Sequence, residues 1–198
     1  RVAICDQLED PKMTKKIVKR GVTELITPGV SFNDEVLQAK ANNFLAAVHF
    51  GKKQLGVSFL DVSTGELFTA QGTTAYIDKL LQNFRPSEVL VEKQHRQQFA
   101  SIFGPELHAF YLDDWVFQTD FAEENLTNHF HVNSLKGFGI HELKEGIVSA
   151  GAVLYYLSET QHNCIQHIAS IQRIQEDNFV WMDRFTLRNL ELYTSKEA

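Results

Sequence analysis

Residues 44–70 read FLAAVHFGKKQLGVSFLDVSTGELFTA, in which three apolar segments are separated by two short turn sequences. The turns are Gly51-Lys52-Lys53 and Ser63-Thr64-Gly65, and both contain residues that favour tight reversals. Strands joined by connections this short run antiparallel to each other. The sequence therefore predicts an antiparallel meander of three strands, Phe44–Phe50, Leu55–Val62 and Glu66–Ala70.

After residue 70 the period of the apolar residues changes from 2 to 3.6, which indicates a change from strand to helix. An antiparallel meander followed by helix, strand, helix and strand is the element order of the ribonuclease H-like fold. We therefore expect an α/β fold with a mixed five-stranded sheet, flanking helices and a right-handed crossover. The four later elements are centred on Ile77–Phe84, Val89–Val91, Phe99–Phe103 and Leu107–Leu112.

The segments on either side of this pattern are shorter or less regular. Before it, Val2–Cys5 is predicted as a buried strand and Val22–Ile26 as a second strand. A helix between these strands is predicted to start at Asp10-Pro11, where Asp can cap and Pro suits the first turn.

Three segments follow the last predicted strand. Asp113–Phe138 is aromatic and polar, and we expect it to be partly helical. Leu143–Thr160 has the pattern of a helix, in which Gly146 and Gly151 would let another backbone approach closely. Ile168–Ile174 is predicted to be extended.

The composition indicates a globular chain without a general affinity for nucleic acid. Hydrophobic residues make up 43% of the 198 residues and the formal net charge is −6, so any DNA contact must be local. Cys5 and Cys164 are too few for a disulfide framework and indicate a reducing compartment. The apolar run Gly146–Leu157 is shorter than the roughly 20 residues that cross a bilayer. We therefore expect a cytoplasmic protein with no membrane partner.

The last residues begin an element that the chain does not complete. Residues 181–197 read WMDRFTLRNLELYTSKE, in which Asp183 can cap a helix whose apolar stripe starts at Phe185. No Gly or Pro ends that helix, and Arg1 is not a natural start. Both ends lead us to expect a piece of a longer protein.

The predicted fold raises the possibility of nuclease chemistry, which requires carboxylates. A ribonuclease H-type site holds two divalent metals between convergent Asp and Glu side chains, one of them on the first strand. The first strand, Phe44–Phe50, contains no carboxylate, and Asp61 and Glu66 come later. We favour a structural role for Asp61, in which it hydrogen-bonds the backbone of the turn that follows. No catalytic residue is predicted in this chain.

A cluster of His and Cys residues is a candidate metal site. His162, Cys164 and His167 lie close together, but a structural zinc site needs four ligands, and His129 and His131 are distant in sequence. We predict ordinary loop residues here and no metal.

Two further reactive side chains lie in apolar strands. Cys5 and His49 have no recognisable nucleophile–base partner, so a core position is expected for both. The sequence also lacks a phosphate-binding motif of the G-x-x-x-x-G-K-[ST] type, so neither ATP nor another cofactor is predicted to bind this chain.

A basic run at residues 12–20 is the candidate DNA contact. Such a run could bind DNA phosphates, or it could be a solvated helix face, as most charge runs are. The sequence leaves both interpretations open. The basic side chains are Lys12, Lys15, Lys16, Lys19 and Arg20.

Several strings resemble the MutS family of DNA mismatch repair proteins. VAICDQLEDPK (residues 2–12) and VKRGVTELITPGV (residues 18–30) are similar to the close of the family's mismatch-recognition domain. GVSFLDVSTGEL (residues 56–67) resembles a strand and turn of its connector domain, and MDRFTLRNLEL (residues 182–192) resembles the opening of its core domain. The resemblance implies four parts: the tail of a mismatch-recognition domain at 1–29, a linker at 30–42, a ribonuclease H-like connector domain at 43–163, and the start of a core domain at 164–198.

The resemblance also implies a function. The parent protein would bind mismatched double-stranded DNA as a homodimer, hydrolyse ATP with Mg²⁺ in a domain elsewhere, and signal to MutL. The connector would couple DNA reading to the ATP-dependent core and offer a docking surface for MutL, with exposed positions on the helices Thr74–Phe84 and His95–Phe103 as candidates. Two alternatives are a connector from a MutS relative that does not act in mismatch repair, and a ribonuclease H-like nuclease.

Overall fold

The computed structural model of the chain describes residues 2–7, 9, 17–29, 43–161 and 165–175. Within them, a six-stranded sheet carries helices on both faces, and a two-stranded hairpin precedes it. The strands are β1 Val2–Gln7, β2 Arg20–Ile26, β3 Phe44–Phe50, β4 Leu55–Asp61, β5 Glu66–Gly72, β6 Glu88–Glu92, β7 Ala109–Leu112 and β8 Ile171–Arg173. The α-helices are α1 Thr74–Phe84, α2 Arg96–Phe103, α3 Thr119–Phe130 and α4 Lys144–Gln161.

The predicted antiparallel meander is confirmed. β3 pairs with β4 from Phe44 opposite Asp61 to Phe50 opposite Leu55. β4 pairs with β5 in the same antiparallel sense along its whole length. All seven residues of β4 are buried, because β4 is covered on both faces and flanked by a strand on each side.

The described residues form six strands of this sheet, so the prediction of a five-stranded sheet was wrong. The strand order is β7-β6-β3-β4-β5-β8, and β6, β7 and β8 each run parallel to a neighbour. The added strand is β8, which lies in the segment predicted to be extended and pairs with β5 from Leu67 opposite Ile171 to Thr69 opposite Arg173. β8 has three residues, and its partner β5 lies far earlier in the chain. The sequence around β8 therefore does not indicate that this segment joins the sheet.

Alternation along β3 divides the interior into two cores. Leu45 and Ala47 face the core under α3 and α4, whereas Ala46 and Val48 face the core under α1 and α2. All four side chains are fully buried. The result is a three-layer arrangement with the sheet between two pairs of helices.

The long helix α4 approaches the sheet at small residues. A Cβ on Gly56 of β4 would lie 1.9 Å from the Glu145 carbonyl oxygen, so backbone meets backbone there. The Thr69 hydroxyl on β5 donates to the Gly146 carbonyl oxygen at 3.0 Å. The first turn of α4 is therefore held against the middle of the sheet. None of the described helices is long and apolar enough to cross a membrane.

The predicted close approach of another backbone to α4 is confirmed at Gly151. A Cβ there would lie 2.6 Å from Ala122 Cα on α3. The region predicted to be partly helical contains α3 and two short 3-10 helices, Asp114–Phe117 and Leu135–Phe138.

The hairpin contradicts two predictions. β1 and β2 pair antiparallel, with Val2 opposite Ile26. Every residue of β1 is exposed, so the prediction of a buried strand at Val2–Cys5 was wrong, and so was a core position for Cys5. A strand is buried only under a second layer, and among the described residues none covers β1. The helix predicted to start at Asp10-Pro11 lies outside the described residues.

Candidate functional site

The carboxylate of Glu88 lies buried where the segment after the hairpin meets the six-stranded sheet. Glu88 is the first residue of β6 and is 4% exposed. The Thr27 hydroxyl donates to Glu88 Oε2 at 2.6 Å. The Tyr156 hydroxyl on α4 lies 3.1 and 3.2 Å from the two carboxylate oxygens. Because a buried carboxylate is stable only among donors, these contacts determine where residue 27 sits.

The backbone beside this carboxylate packs without an intervening side chain. The Gly29 N–H donates to Glu88 Oε2 at 3.4 Å. A Cβ on Gly29 would lie 2.8 Å from Glu88 Cβ and 2.9 Å from Leu45 Cδ1, so a larger residue would force the segment away from the sheet. We call the contact among Thr27, Gly29, Glu88 and Tyr156 the Glu88 joint.

Sequence reasoning did not identify the Glu88 joint. The available signal was the string EVLVE at Glu88–Glu92, in which a buried strand begins and ends on a carboxylate. Carboxylates that are almost fully buried are unusual unless they are paired. The pattern thus marks two polar contacts, but it does not indicate their partners.

A second polar cluster lies at the other end of β6. His49 Nδ1 contacts Glu92 Oε1, and His49 Nε2 lies 3.1 Å from Glu145 Oε2 on α4. The His49 side chain is 15% exposed, and its ring bridges two carboxylates. We expected His49 to lie in an ordinary apolar core. Its ring instead contacts two carboxylates near the end of β3, where α4 begins.

Glu92 accepts hydrogen bonds from three side chains. Gln94 Nε2 and His95 Nδ1 each lie 2.7 Å from Oε2, and His49 contacts the other oxygen. Burial raises the pKa of this carboxyl, but the hydrogen bonds from His49 and Gln94 and the charges of both histidines lower the pKa below its ordinary value of 4.5. Glu92 is therefore ionised at neutral pH. We call His49, Glu92, His95 and Glu145 the His49 cluster.

Asp61 supports the turn that follows β4, as its sequence context favoured. Its Oδ1 accepts from the Ser63 N–H at 2.9 Å, the Ser63 hydroxyl at 2.6 Å and the Thr64 N–H at 3.3 Å. The residue is fully buried. Its Oδ1 thus faces the turn, and its Oδ2 is buried without a hydrogen-bond partner among the described residues, so neither oxygen lies at a surface that a phosphate could reach.

Two of the histidines considered as metal ligands, His129 and His167, contact main-chain oxygens through their rings. His129 Nε2 lies 2.8 Å from a main-chain carbonyl oxygen, and His167 Nε2 lies 2.8 Å from that of Val62. His162 and Cys164 fall outside the described residues. In the part of the chain that the structure describes, no group of three or more His, Cys, Asp or Glu is placed to hold a metal ion.

The structure describes two of the five basic residues considered for DNA contact. Lys19 is exposed, with Nζ 3.8 Å from Glu9 Oε1. Arg20, the first residue of β2, is also exposed. The two are adjacent in sequence at the start of β2, where Glu9 offsets part of their positive charge. Outside the described residues lie the other three, Lys12, Lys15 and Lys16.

Models of one protein family match most of the chain. The model described as MutS domain II matches residues 43–169, and the model described as MutS domain I matches residues 1–35. Thr27 and Gly29 thus lie in the domain I match, and Glu88 and Tyr156 lie in the domain II match. The Glu88 joint connects the two matched segments.

Curated relatives match over the same residues. Proteins named DNA mismatch repair protein MutS from Flavobacterium johnsoniae, Christiangramia forsetii and Parabacteroides distasonis are 72%, 68% and 59% identical over 98%, 100% and 97% of this chain. The chain spans 22%, 23% and 22% of their lengths. A crystal structure of Fowlpox virus resolvase with Holliday junction DNA has a TM-score of 0.42 and 10% identity, covering 61% of this chain and 99% of that one. That likeness is too slight to assign the fold.

The domain II model by itself covers more than half of the chain. The domain I match precedes it in the chain, and relatives with 59–72% identity extend over nearly every residue. The chain therefore belongs to the MutS family, with residues 1–35 matching its domain I and residues 43–169 its domain II.

Proposed function

We propose that the chain is part of a DNA mismatch recognition protein, in which residues 43–163 act as a connector between the DNA-reading domain and an ATP-dependent core. The observation that carries this proposal is the Glu88 joint. A movement of residue 27 must either carry the Glu88 carboxylate with it or break a buried charge-assisted hydrogen bond. The movement therefore passes to β6 and, through Tyr156, to α4.

The proposed organisation has four parts: a recognition-domain tail at 1–29, a linker at 30–42, the connector from 43 and a core segment near the end of the chain. The pairing of β8 with β5 supports counting residues 171–173 with the connector's sheet, beyond residue 163. A ribonuclease H-like label for the connector is supported by its meander followed by alternating helices and parallel strands.

DNA contact is proposed for the basic run. Lys19 and Arg20 are exposed at the start of β2, where their charges can reach phosphates without burial. Phosphate contacts of this kind position a protein on DNA but do not read its sequence. The same role is proposed for Lys12, Lys15 and Lys16.

The remaining roles concern the parent protein. As a MutS-family member, it is proposed to act in the cytoplasm as a homodimer, to bind mismatched double-stranded DNA, and to use ATP and Mg²⁺ in a domain outside this chain. MutL is the proposed downstream partner. Exposed positions on α1 and α2 are the candidate docking residues on this chain.

The coupling role is tested in the full-length parent protein. Glu88→Gln should leave mismatch affinity unchanged but reduce the stimulation of ATP hydrolysis by mismatched DNA about fivefold, equivalent to roughly 1 kcal/mol of coupling. Glu106→Gln, an exposed carboxylate in the loop before β7, is the matched control. If mismatched DNA stimulates ATP hydrolysis equally in Glu88→Gln, in Glu106→Gln and in the unsubstituted protein, the Glu88 joint is excluded as a coupling element.

The docking role is tested with the 198-residue chain and the N-terminal part of the cognate MutL. A titration followed by NMR should shift amides of the connector at high micromolar concentration, because transient signalling interfaces are small. Shifts confined to residues 2–29, or none at millimolar concentration, would remove the connector from this role.

A further inference from the structure

A groove of about 570 Å³ runs along the outer edge of β7. Residues from both faces of this strand line it: Ala109 and Tyr111 pack towards the core under α2, and Phe110 packs towards the opposite core. Because the lining also includes Glu88 at the start of β6, the groove extends around both the start and the outer edge of β7. The other wall is α2, which contributes Arg96, Phe99 and Ala100.

The hydrogen-bond ladder determines which backbone groups face this groove. β6 and β7 run parallel, with Val89 opposite Ala109 and the Val89 N–H donating to the His108 carbonyl oxygen at 2.8 Å. In a parallel ladder a residue bonds the two neighbours of its opposite number, so His108 and Phe110 face β6. Ala109 and Tyr111 then point their N–H and C=O groups away from β6. Among the described strands, β7 is the last on this side of the sheet.

The wall of the groove carries a cation. Arg96 is exposed, and its guanidinium carbon lies 5.0 Å from the centre of the Tyr111 ring. Within the described residues, Arg96 forms no ion pair with a carboxylate. Among the described lining residues the acidic one is Glu88, which is buried and hydrogen-bonded in the Glu88 joint. The accessible charge of the groove is therefore positive.

Most of the helix that forms this wall is not buried. In α2 only Phe99 is buried, and Ile102 is 39% exposed. A helix beside a strand edge with which no described strand pairs, and a groove between the two, form the arrangement into which an extended peptide can add as a further strand.

We propose that this groove binds an extended, acidic segment of a partner protein, which pairs with the outer edge of β7 and places a carboxylate on Arg96. Ala109 and Tyr111 supply the main-chain donors and acceptors, and Arg96 selects for negative charge. The four residues of β7 match a segment of similar length. This surface is defined by contacts of the chain itself and does not depend on the function proposed above.

The test uses the isotope-labelled 198-residue chain and a capped eight-residue peptide of alternating valine and threonine with one central glutamate. Binding should shift the amides of Ala109 and Tyr111 and slow their hydrogen exchange. A peptide that is N-methylated at alternate positions should not bind, because it cannot pair with the strand. Replacing the glutamate by glutamine should weaken binding about tenfold, as expected for one charge-assisted contact.

Substitutions of Arg96 test whether its positive charge selects the acidic peptide. Arg96→Gln should weaken binding of the glutamate peptide about tenfold and leave the glutamine peptide unaffected, whereas Arg96→Lys should retain most of the affinity. Arg173→Gln, an exposed arginine on the opposite edge strand β8, is the control and should change nothing. The absence of any shift at Ala109 and Tyr111 with millimolar peptide, or binding that survives N-methylation, would overturn the proposal.

Discussion

Thr27 and Glu88 are separated by 61 positions in the sequence, yet the Thr27 hydroxyl lies 2.6 Å from Glu88 Oε2. The contact is buried, with Thr27 3% and Glu88 4% exposed. It ties a segment matched by MutS domain I to the first residue of a strand in domain II. Hydrogen bonds to a buried charge are among the stronger ones in proteins, so this contact should contribute measurably to stability.

Replacement of Thr27 by valine should lower the free energy of unfolding by about 1–3 kcal/mol, because it removes a donor from a buried carboxylate while keeping the side-chain shape. Urea unfolding of the 198-residue chain measures the change. Thr27→Ser, which keeps the hydroxyl, should lose clearly less. A Thr27→Val variant that is as stable as the unsubstituted chain would show that the hydrogen bond to Glu88 does not stabilise the joint.

Replacement of Gly56 by alanine should destabilise the chain by roughly 3 kcal/mol or more, because the new methyl group would overlap backbone atoms of α4. A Cβ at this position would lie 1.9 Å from the Glu145 carbonyl oxygen. Gly137→Ala is the matched control, since a Cβ there has no atom within 4 Å. It should be neutral or stabilising by up to about 1 kcal/mol. Equal unfolding midpoints for the two variants would contradict the close packing of α4 against β4.

Replacement of Glu92 by glutamine should lower the free energy of unfolding by about 1–3 kcal/mol near neutral pH, because His49 and His95 lose a charged acceptor. Folding depresses the pKa of Glu92 below 4.5. Its ionised form therefore stabilises the fold above that pH, and this stabilisation is lost as the pH falls through the lower folded value. The difference in free energy of unfolding between the unsubstituted chain and Glu92→Gln, measured by chemical unfolding, should therefore shrink as the pH is lowered from about 5.5 to about 3.

The exposed Glu106→Gln variant serves as control for the pH series. Its stability should follow that of the parent at every pH, because no described contact holds its carboxylate. A gap for Glu92→Gln that stays constant or widens below pH 4.5 would show that Glu92 is not stabilised in its ionised form.

Replacement of Asp61 by alanine should cost about 1–3 kcal/mol, whereas Asp61→Asn should retain more stability because its amide oxygen can still accept from the turn. Thermal unfolding separates the two variants. The parent chain should also leave an RNA–DNA hybrid uncut in Mg²⁺ or Mn²⁺. Cleavage that disappears in Asp61→Asn would instead assign Asp61 to a nuclease site.

The 198-residue chain should bind DNA weakly at most, without preference for a mismatch. Lys19→Gln and Arg20→Gln should each reduce the slope of log affinity against log salt by about 0.9 if their side chains contact phosphates. Lys79→Gln, an exposed lysine on α1, is the control. Unchanged slopes for Lys19→Gln and Arg20→Gln would indicate that the basic run is a solvated surface and does not contact DNA. Tighter binding to a G·T duplex than to its matched control would refute the expected lack of preference for a mismatch.

Much of the fold could be predicted because its signals are local. The meander follows from apolar segments and turns within residues 44–70, and α1 and α2 follow from apolar residues three and four positions apart. The turn role of Asp61 was also predictable, since its partners Ser63 and Thr64 are two and three residues away. Burial was predicted less well, because the apolar residues of β1 gave no indication that the strand would be exposed.

The sequence by itself determined the order of strands and helices, the antiparallel meander and the family, since each is written in neighbouring residues or in matched strings. Only the tertiary structure decided that β8 completes the sheet, that His49 joins Glu92 across 43 positions, and that Glu88 meets Tyr156 across 68. These contacts bring together residues that no periodicity relates. A buried polar group takes whatever donor the packed layers place beside it, so its partner becomes known only when the layers are in place.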